Sequence, residues 1–420
     1  MKMRIAPPGL APESGLWLAS AQLVDGRRVD VLIASGIVTE VVAAGASDGR
    51  PGRRLDLGGY LLLGAPAEPH AHLDKTGTFD DVMCDTGELN GARGAWQRWS
   101  AGRDRADIVR RAEATLSALV AHGATAVRTH VALHPEENVP VALDALIELR
   151  ERWRDRVNLQ VVPMLSPDTP DELVETAVKA GADRLGGAPY CSPDPEAAVG
   201  RLVGLAQEYE IGLDVHTDET LDPGVLTLVT LADLVIARDF PHPVTASHCV
   251  SLGQVPPDRL GPIVDKVAEA GIGVVALPLT NLYLQGRGRT PVPRGLTAVR
   301  PLLAAGVVVA GGGDNVGDPF NPMGRADPLE TASLLVTAAH LTVEQGYSAI
   351  SDAARQMLGL PPAGPVAGRV ADLLAIKASS LTEAVGRATE DRLVFTAGRL
   401  VSRVTVRREL FGAVGSPDSS

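Results

Sequence analysis

The sequence is poor in cysteine and in aromatic residues. Its three cysteines, Cys84, Cys191 and Cys249, are odd in number and far apart. They therefore form neither a disulfide framework nor a CxxC metal site, which suits a reducing compartment. Because aromatic residues make up only 3% of the chain, leucine, valine and alanine must supply most of the core.

Long apolar runs and an excess of basic residues are also missing. Runs such as Val307–Ala310 are far too short to cross a bilayer, and the N-terminal MKMRIAPPGLAPESG lacks the apolar segment of a signal peptide. The formal net charge of -12 argues against a nucleic-acid partner, which would need a basic surface. We therefore expect a cytoplasmic protein with neither a membrane nor a nucleic-acid partner.

Two kinds of pattern divide the chain. Residues 16–64 alternate short β-prone runs with Gly and Asp, and a similar rhythm returns in ADLLAIKA and DRLVFTAGRLVSRVTV near the end. Between them, strand-like runs alternate with stretches of helical spacing. These runs predict eight strands at Tyr60–Ala65, Ala124–His130, Leu159–Met164, Asp183–Gly187, Gly212–His216, Val244–His248, Gly273–Leu277 and Gly306–Gly311.

Eight strands that alternate with helices predict an α/β fold, a parallel (β/α)8 or TIM barrel. An open doubly wound sheet would need a glycine-rich phosphate turn after its first strand, and a histidine pair stands there instead. The terminal strands are expected to join in a small flanking β-sandwich. The predicted domains are therefore a sandwich of residues 1–64 and 365–420 and a barrel of residues 65–364.

The densest chemical signal is EPHAHLDK at residues 68–75. In an extended chain, residues i and i+2 point to the same side, so His70 and His72 can reach one ion. The competing interpretation is a pair of exposed loop histidines, because HxH also arises by chance.

Further ionisable residues end other predicted strands. His216 ends the fifth in LDVHTDE, His248 ends the sixth in VTASHCV, and Asp314 follows the eighth in VVVAGGGDN. The carboxyl ends of barrel strands meet at the mouth where such enzymes carry out their chemistry. Imidazoles and a carboxylate suit Zn²⁺ or Fe²⁺, which lowers the pKa of bound water toward neutrality. Glu219, three residues beyond His216, is near enough to move protons at a substrate.

His130, in VRTHV, ends the second predicted strand. It has two interpretations, a metal ligand or a packed histidine that supports the ligands, and we favour the second.

These motifs, with LPLTNLYLQGRG and GDNVGDPFNPMGRADPLE, occur in an order that resembles the cytosine deaminase-like branch of the amidohydrolase superfamily. The resemblance covers nearly the whole chain and points to the cytosine deaminase and N-isopropylammelide hydrolase relatives. It implies one metal bound by His70, His72, His216 and Asp314. It also implies that Asp314 accepts a proton from the attacking water, that His248 orients this water, and that Glu219 carries a proton to the ring nitrogen.

Three positions that depart from the cytosine deaminase pattern concern substrate recognition. Ser166, in PMLSPD, stands where that enzyme has a glutamine that reads the pyrimidine amide edge. Asn315 replaces a second aspartate, and Phe320 in DPF replaces the aromatic residue of a DPW stretch. A site that hydrogen-bonds one ring edge rejects analogues that lack it, so these changes put cytosine itself in doubt as the substrate.

Other candidates lie around the predicted mouth. Lys75, in HLDK, either binds an anionic or oxo-rich ring or is a solvated loop lysine. The segment Asp80–Trp96 is long enough for a lid. Gln285, in LYLQGRG, is a further candidate for substrate binding.

The motifs together predict a metal-dependent aminohydrolase that deaminates a small nitrogen heterocycle, such as a cytosine-like pyrimidine or a triazine, by attack of a metal-bound hydroxide. One alternative is hydrolysis of an N-alkylamino or cyclic amide C–N bond in a similar ring, and another is a barrel that binds a metal or ligand without turnover. The expected cofactor is one divalent metal ion per chain, Zn²⁺ or Fe²⁺, with Mn²⁺ as a further option. The expected partner is the small-molecule substrate, and homo-oligomerisation is left open.

Overall fold

Two eight-stranded sheets organise the chain in a computed structural model that describes residues 15–84, 86–100, 102–133 and 140–410. The first sheet is mostly antiparallel and is built from both ends of the chain. Its N-terminal strands are β1 (Leu16–Gln22), β2 (Arg28–Ala34), β3 (Ile37–Ala43), β4 (Arg53–Asp56) and β5 (Leu61–Gly64).

The second sheet is parallel, and its strands follow one another around the sheet in chain order. They are β6 (Glu68–Ala71), β7 (Ala126–Ala132), β8 (Asn158–Leu165), β9 (Arg184–Gly187), β10 (Gly212–Thr217), β11 (Val244–His248), β12 (Gly273–Ala276) and β13 (Val309–Gly311). A parallel bridge between Ala71 and Asp314 joins the first strand to the segment after the last. This bridge closes the predicted (β/α)8 barrel.

Three C-terminal strands complete the first sheet: β14 (Leu373–Ile376), β15 (Arg392–Thr396) and β16 (Arg399–Val404). β14 pairs antiparallel with β5, so the sheet joins both ends of the chain. The predicted flanking β-structure built from both termini is therefore present. The domain limits at residues 1–64, 65–364 and 365–420 stay a prediction, and residues 1–14 and 411–420 lie outside the described residues.

Helices lie between the barrel strands and after the last of them. They are α1 (Leu89–Ser100), α2 (Arg105–Ala121), α3 (Val141–Trp153), α4 (Asp171–Lys179), α5 (Pro195–Glu208), α6 (Thr227–Ala237), α7 (Pro257–Glu269), α8 (Pro278–Leu284), α9 (Val299–Ala304), α10 (Pro328–Ala338), α11 (Val343–Ile350), α12 (Asp352–Met357) and α13 (Leu381–Arg387). Aspartate side chains accept backbone N–H groups at the starts of several, as Asp104 does for α2 and Asp194 for α5. Along the described ranges, no helix is both long and apolar enough to pass through a bilayer.

One predicted barrel strand is wrong. The run Tyr60–Ala65 forms β5 of the first sheet, and the barrel begins instead at β6, which contains His70. The run has no polar alternation because both of its faces are covered: Leu62 packs into one apolar cluster, and Leu61 and Leu63 pack into another. A strand buried on both faces has the same sequence signature as a barrel strand. The other seven predicted strands overlap observed barrel strands.

Candidate metal centre and active site

Barrel closure brings the predicted metal ligands to one end of the strands. His70 lies in β6, His216 in β10, and Asp314 follows β13. The backbone N–H of Asp314 donates to the carbonyl of His70 at 2.9 Å, so the last strand places its carboxylate beside the first. Asp314 has a φ of 62°, in the left-handed region that residues with a Cβ seldom adopt. Such strain is typical of functional sites.

Three of the distances among the four predicted ligands match the spacing of atoms that share one ion. His72 Nε2 lies 3.1 Å from His216 Nε2 and 3.3 Å from Asp314 Oδ1. His70 Nε2 lies 3.5 Å from the same oxygen. Ligand atoms around a tetrahedral zinc with bonds of 2.0–2.1 Å are about 3.3 Å apart. The arrangement therefore fits one first-row divalent metal.

Several buried polar atoms of this centre have no hydrogen-bond partner among the described residues. Those that can face one ion are His70 Nε2 and both carboxylate oxygens of Asp314, and both ring nitrogens of His130 are also without such a partner. Buried polar atoms are nearly always bonded, and one cation can satisfy a group of them at once. Two overlapping groups, His70/His130/His216 and His70/His248/Asp314, have candidate ligand atoms within 4.8 Å of one another, and His72 belongs to neither group.

Burial also sets the charge of these groups. It lowers the pKa of His70, His72 and His216 well below the ordinary value, and neighbouring histidines, with Lys75 for the last two, act in the same direction. The imidazoles are therefore neutral and offer lone pairs. Burial and then Glu219 raise the pKa of Asp314, so its carboxylate needs a nearby cation to stay ionised. A bound metal ion supplies that cation.

A buried polar layer orients His70 from behind. Its Nδ1 is 2.9 Å from the hydroxyl of Ser247, which donates to Asp214 Oδ1 at 3.1 Å. Since that hydroxyl proton is used on Asp214, its oxygen accepts the Nδ1–H of His70 and leaves Nε2 as the ligand atom. Asp214 also forms a fully buried ion pair with Arg128, at 2.6 Å. Sequence reasoning missed all three partners, although each is a polar residue inside a buried barrel strand.

His130 lies beside this supporting layer. Its ring centroid lies 4.1 Å from that of His70, and its Nε2 lies 3.3 Å from Asp214 Oδ1. One of its nitrogens therefore faces a carboxylate behind the centre, which favours the supporting interpretation over a ligand.

The side-chain amide of Asn281 contacts both Glu219 and His248. Asn281 Nδ2 lies 2.9 Å from His248 Nδ1 and 3.4 Å from Glu219 Oε1. The hydroxyl of Tyr190 donates to Glu219 Oε2 at 2.9 Å. Burial raises the pKa of Glu219 to about 7. Sequence reasoning missed Tyr190 and Asn281, and the only signal for the second was an asparagine inside LPLTNLYLQGRG.

A wide cavity opens above the centre, and four of the five predicted substrate residues line it: Lys75, Ser166, Asn315 and Phe320. The side-chain amide of Asn315 donates to Asp318, at 2.7 Å, and the hydroxyl of Ser166 pairs with Thr169, at 3.0 Å. Each of these two polar side chains therefore already has a hydrogen-bond partner within the protein.

Lys75 is buried, so its interpretation as a solvated loop lysine is wrong. Its Nζ lies 3.3 Å from His72 Nδ1, 5.6 Å from the ring of Trp96 and 5.2 Å from that of Phe320. Aromatic faces stabilise a cation in such a position. The lysine is therefore part of the cavity wall.

Gln285 does not line the cavity above the centre. It follows α8, donates to the backbone carbonyl of Glu219 at 3.1 Å and lines an adjoining cavity.

The segment Asp80–Trp96, predicted to be a lid, is partly helical, because α1 begins in its second half. Leu89, Arg93 and Trp96 of this helix line the cavity above the centre. Asp85, within the predicted lid, lies outside the described residues.

Comparisons with known proteins agree with this architecture. The model of the amidohydrolase family matches residues 86–404. A pterin deaminase of Rhizobium rhizogenes is 33% identical over 406 residues, which cover 93% of this chain and 91% of the relative. A 5-methylcytosine deaminase from Klebsiella pneumoniae, solved with 5-fluorocytosine, is 26% identical with a TM-score of 0.85 and covers 94% of this chain and 99% of its own. An N-isopropylammelide isopropylaminohydrolase from Burkholderia multivorans is 29% identical with a TM-score of 0.79 and covers 93% of this chain and 98% of its own.

Proposed function

The chain belongs to the amidohydrolase family, and we propose that it deaminates a small nitrogen heterocycle. It is a metal-dependent hydrolytic enzyme that acts on non-peptide carbon–nitrogen bonds. The observation that carries the deaminase proposal is the buried pair Glu219 and His248. Both contact the side-chain amide of Asn281 and lie beside the unpartnered atoms of His70 and Asp314. The relatives named above act on pterins and 5-methylcytosine, both aminated heterocycles.

The proposed ligands are His70, His72, His216 and Asp314, and the proposed metal is one Zn²⁺ or Fe²⁺ per chain, with Mn²⁺ as a further option. When bound, such an ion makes water nucleophilic at neutral pH and offsets negative charge that develops on the substrate. The distances among the ligand atoms, 3.1 to 3.5 Å, support this set.

The chain's own groups then move protons. Asp314 accepts a proton from the attacking water, and His248 Nε2, 4.0 Å from Asp314 Oδ2, holds this water in line. Glu219 in its acid form donates to the ring nitrogen beside the carbon that bears the amine, which makes this carbon more electrophilic. Water adds to the carbon, Asp314 passes its proton to the amine, and the C–N bond breaks to release ammonia. The proton of the new hydroxyl group returns to Glu219 and leaves a ring carbonyl.

A second candidate is hydrolysis of an N-alkylamino or cyclic amide bond in a similar ring. It is favoured by the likeness to the N-isopropylammelide isopropylaminohydrolase, because the match between the two structures covers 98% of that enzyme's chain. Mass spectrometry separates the candidates, because deamination releases ammonia, the second reaction releases an alkylamine, and cleavage of a cyclic amide opens the ring. A barrel that binds a metal without turnover has no use for the buried acid Glu219.

The test combines metal analysis with turnover. We expect about one equivalent of Zn, Fe or Mn per chain and ammonia release from at least one member of a panel of aminopyrimidines, aminotriazines and pterins. Asp314→Ala should lose both metal and turnover, while Glu219→Gln should keep the metal and lose roughly 10²–10⁴-fold in kcat.

Asp258→Ala, at an exposed position of α7, is the matched control. A metal-free protein with full activity would refute the proposal. A metal-replete protein that turns over no member of the panel would favour the barrel that only binds.

A further inference from the structure

The cavity above the metal centre continues into a second cavity on the far side of Glu219. The two share five lining residues, Leu89, Arg93, Tyr190, Cys191 and Glu219. The second cavity is completed by residues after β10 and around the end of α8. A ligand whose reacting ring lies beside Glu219 therefore has room to extend in this direction.

Three arginines line the second cavity. Arg93 comes from α1, and Arg287 and Arg289 come from the segment after α8. In the part of the chain that the structure describes, none of them forms an ion pair with a carboxylate. The Arg287 guanidinium lies 4.3 Å from the centre of the Tyr283 ring, which restricts it before any ligand binds.

The three cations outnumber the carboxyl groups of the lining, although Arg93 is close enough to Glu219 to lower its pKa. Only Glu88 and Glu219 contribute carboxyl groups to the lining. Tyr190 and Asn281 already occupy the oxygens of Glu219. The cavity is thus locally cationic on a chain whose formal net charge is -12.

We propose that this cavity, the arginine subsite, binds an anionic substituent of the substrate. The inference rests on the proposed function, since it places the reacting heterocycle beside Glu219. Guanidinium groups present planar, paired donors that match the oxygens of a carboxylate or a phosphate. The substrate class is therefore an aminated heterocycle that carries a carboxylate or phosphate group, rather than the bare ring.

The test compares matched substrates of equal ring structure. Pterin is compared with pterin-6-carboxylate and with 6-hydroxymethylpterin phosphate, and cytosine is compared with 5-carboxycytosine. We expect the anionic member of at least one set to have a kcat/KM on the order of tenfold higher, mainly through a lower KM. This preference should shrink as salt is raised, because the arginines are exposed to solvent.

The double variant Arg287→Gln and Arg289→Gln should remove most of the preference, because KM for the anionic member rises toward that for the neutral ring. Arg300→Gln, an exposed arginine of α9 that lines neither cavity, should leave the preference intact. A preference for the phosphate or for the carboxylate alone identifies the anion. Equal kcat/KM for neutral and anionic members overturns the arginine subsite alone, whereas absence of turnover with every member overturns the proposed function and the subsite together.

Discussion

Single hydrogen bonds decide which nitrogen of each histidine is available in this site. Ser247 leaves His70 Nε2 free for a metal ion. Asn281 has the corresponding effect on His248. Because its Nδ2 also faces the carboxylate of Glu219, this atom is the amide nitrogen, so His248 Nδ1 accepts and Nε2 carries the proton. His248 therefore presents an N–H donor toward Asp314 and the attacking water.

Removing the Asn281 amide should release His248 without removing the metal. We expect Asn281→Ala to lower kcat about 10–100-fold, the usual loss when a partner that orients an active-site histidine is deleted. The measurements are steady-state kinetics and metal content on the same preparation. Asn158→Ala, at an exposed position at the start of β8, is the control. Unchanged kcat, or loss of the metal, would contradict the orienting role.

The pKa of Glu219 should appear in the pH profile. Burial raises it to about 7, and the hydrogen bond from Tyr190 opposes that rise. Because the acid form is the proton donor, kcat/KM should fall as pH rises above about 7. Tyr190→Phe removes an interaction that stabilises the carboxylate, so the fall should move to higher pH. If the fall in kcat/KM stays at the same pH in this variant or moves to lower pH, the assignment is contradicted. Tyr209→Phe serves as the control.

At the scale of elements, buried polar side chains join barrel strands to one another below the site, including strands that are not neighbours in the sheet. Arg128 of β7 bonds Asp214 of β10, at 2.6 Å, and both side chains are fully buried. Arg128 also donates to Gln160 of β8, at 3.0 Å, and to the carbonyl of Met357 at the end of α12, at 2.8 Å. Although burial alone would raise the pKa of Asp214, His130 and Arg128 lower it. An ion pair therefore links β7 to β10 across the barrel, in addition to the backbone bonds between adjacent strands.

Replacing Arg128 should leave a buried carboxylate unpaired. We expect Arg128→Met to lower the free energy of unfolding by about 3–5 kcal/mol, measured by urea denaturation. Arg105→Met breaks an ion pair with Asp144 that is about half exposed, and it should cost only about 0–1 kcal/mol. Equal effects of the two substitutions would show that the buried pair does not stabilise the barrel.

At the scale of the whole molecule, the metal centre depends on complete closure of the barrel. Its predicted ligands lie between residues 70 and 314, on strands that meet only when β13 reaches β6. Buried ion pairs also join the first sheet to the barrel, as Arg392 of β15 bonds Asp327 at the start of α10, at 2.7 Å. An ion that binds the closed barrel and not the unfolded chain must stabilise the folded state.

Metal removal should therefore lower both activity and Tm. When the metal concentration is about a thousand times its Kd, binding raises the free energy of unfolding by about 4 kcal/mol, which corresponds to roughly 5 °C in Tm for a chain of this size. The measurements are turnover and thermal unfolding before chelation, after it, and after Zn²⁺ is restored. Asp314→Ala should show a Tm that chelation does not change. A wild-type Tm that is insensitive to chelation would refute a metal held by the barrel.

Local sequence determined the classes of element and the chemistry available to them. Seven of the eight predicted barrel strands overlap observed ones because a buried strand between two helical stretches has a distinct apolar pattern. The spacing of His70 and His72 by itself indicates that both rings can reach one ion, since alternate residues of an extended chain point to the same side. His216, His248 and Asp314 could be found because the carboxyl ends of barrel strands share one mouth.

Only the tertiary structure decided which groups meet. It assigned Tyr60–Ala65 to the first sheet, buried Lys75 between aromatic rings, and placed Gln285 beside the backbone of Glu219. It also supplied the partners Ser247 and Asn281. A side chain's partners depend on barrel closure between residues far apart in the chain, and neighbouring sequence carries no record of that closure. The pattern of residues therefore specified a hydrolytic metal site, and the folded barrel determined the proton positions and charges within it.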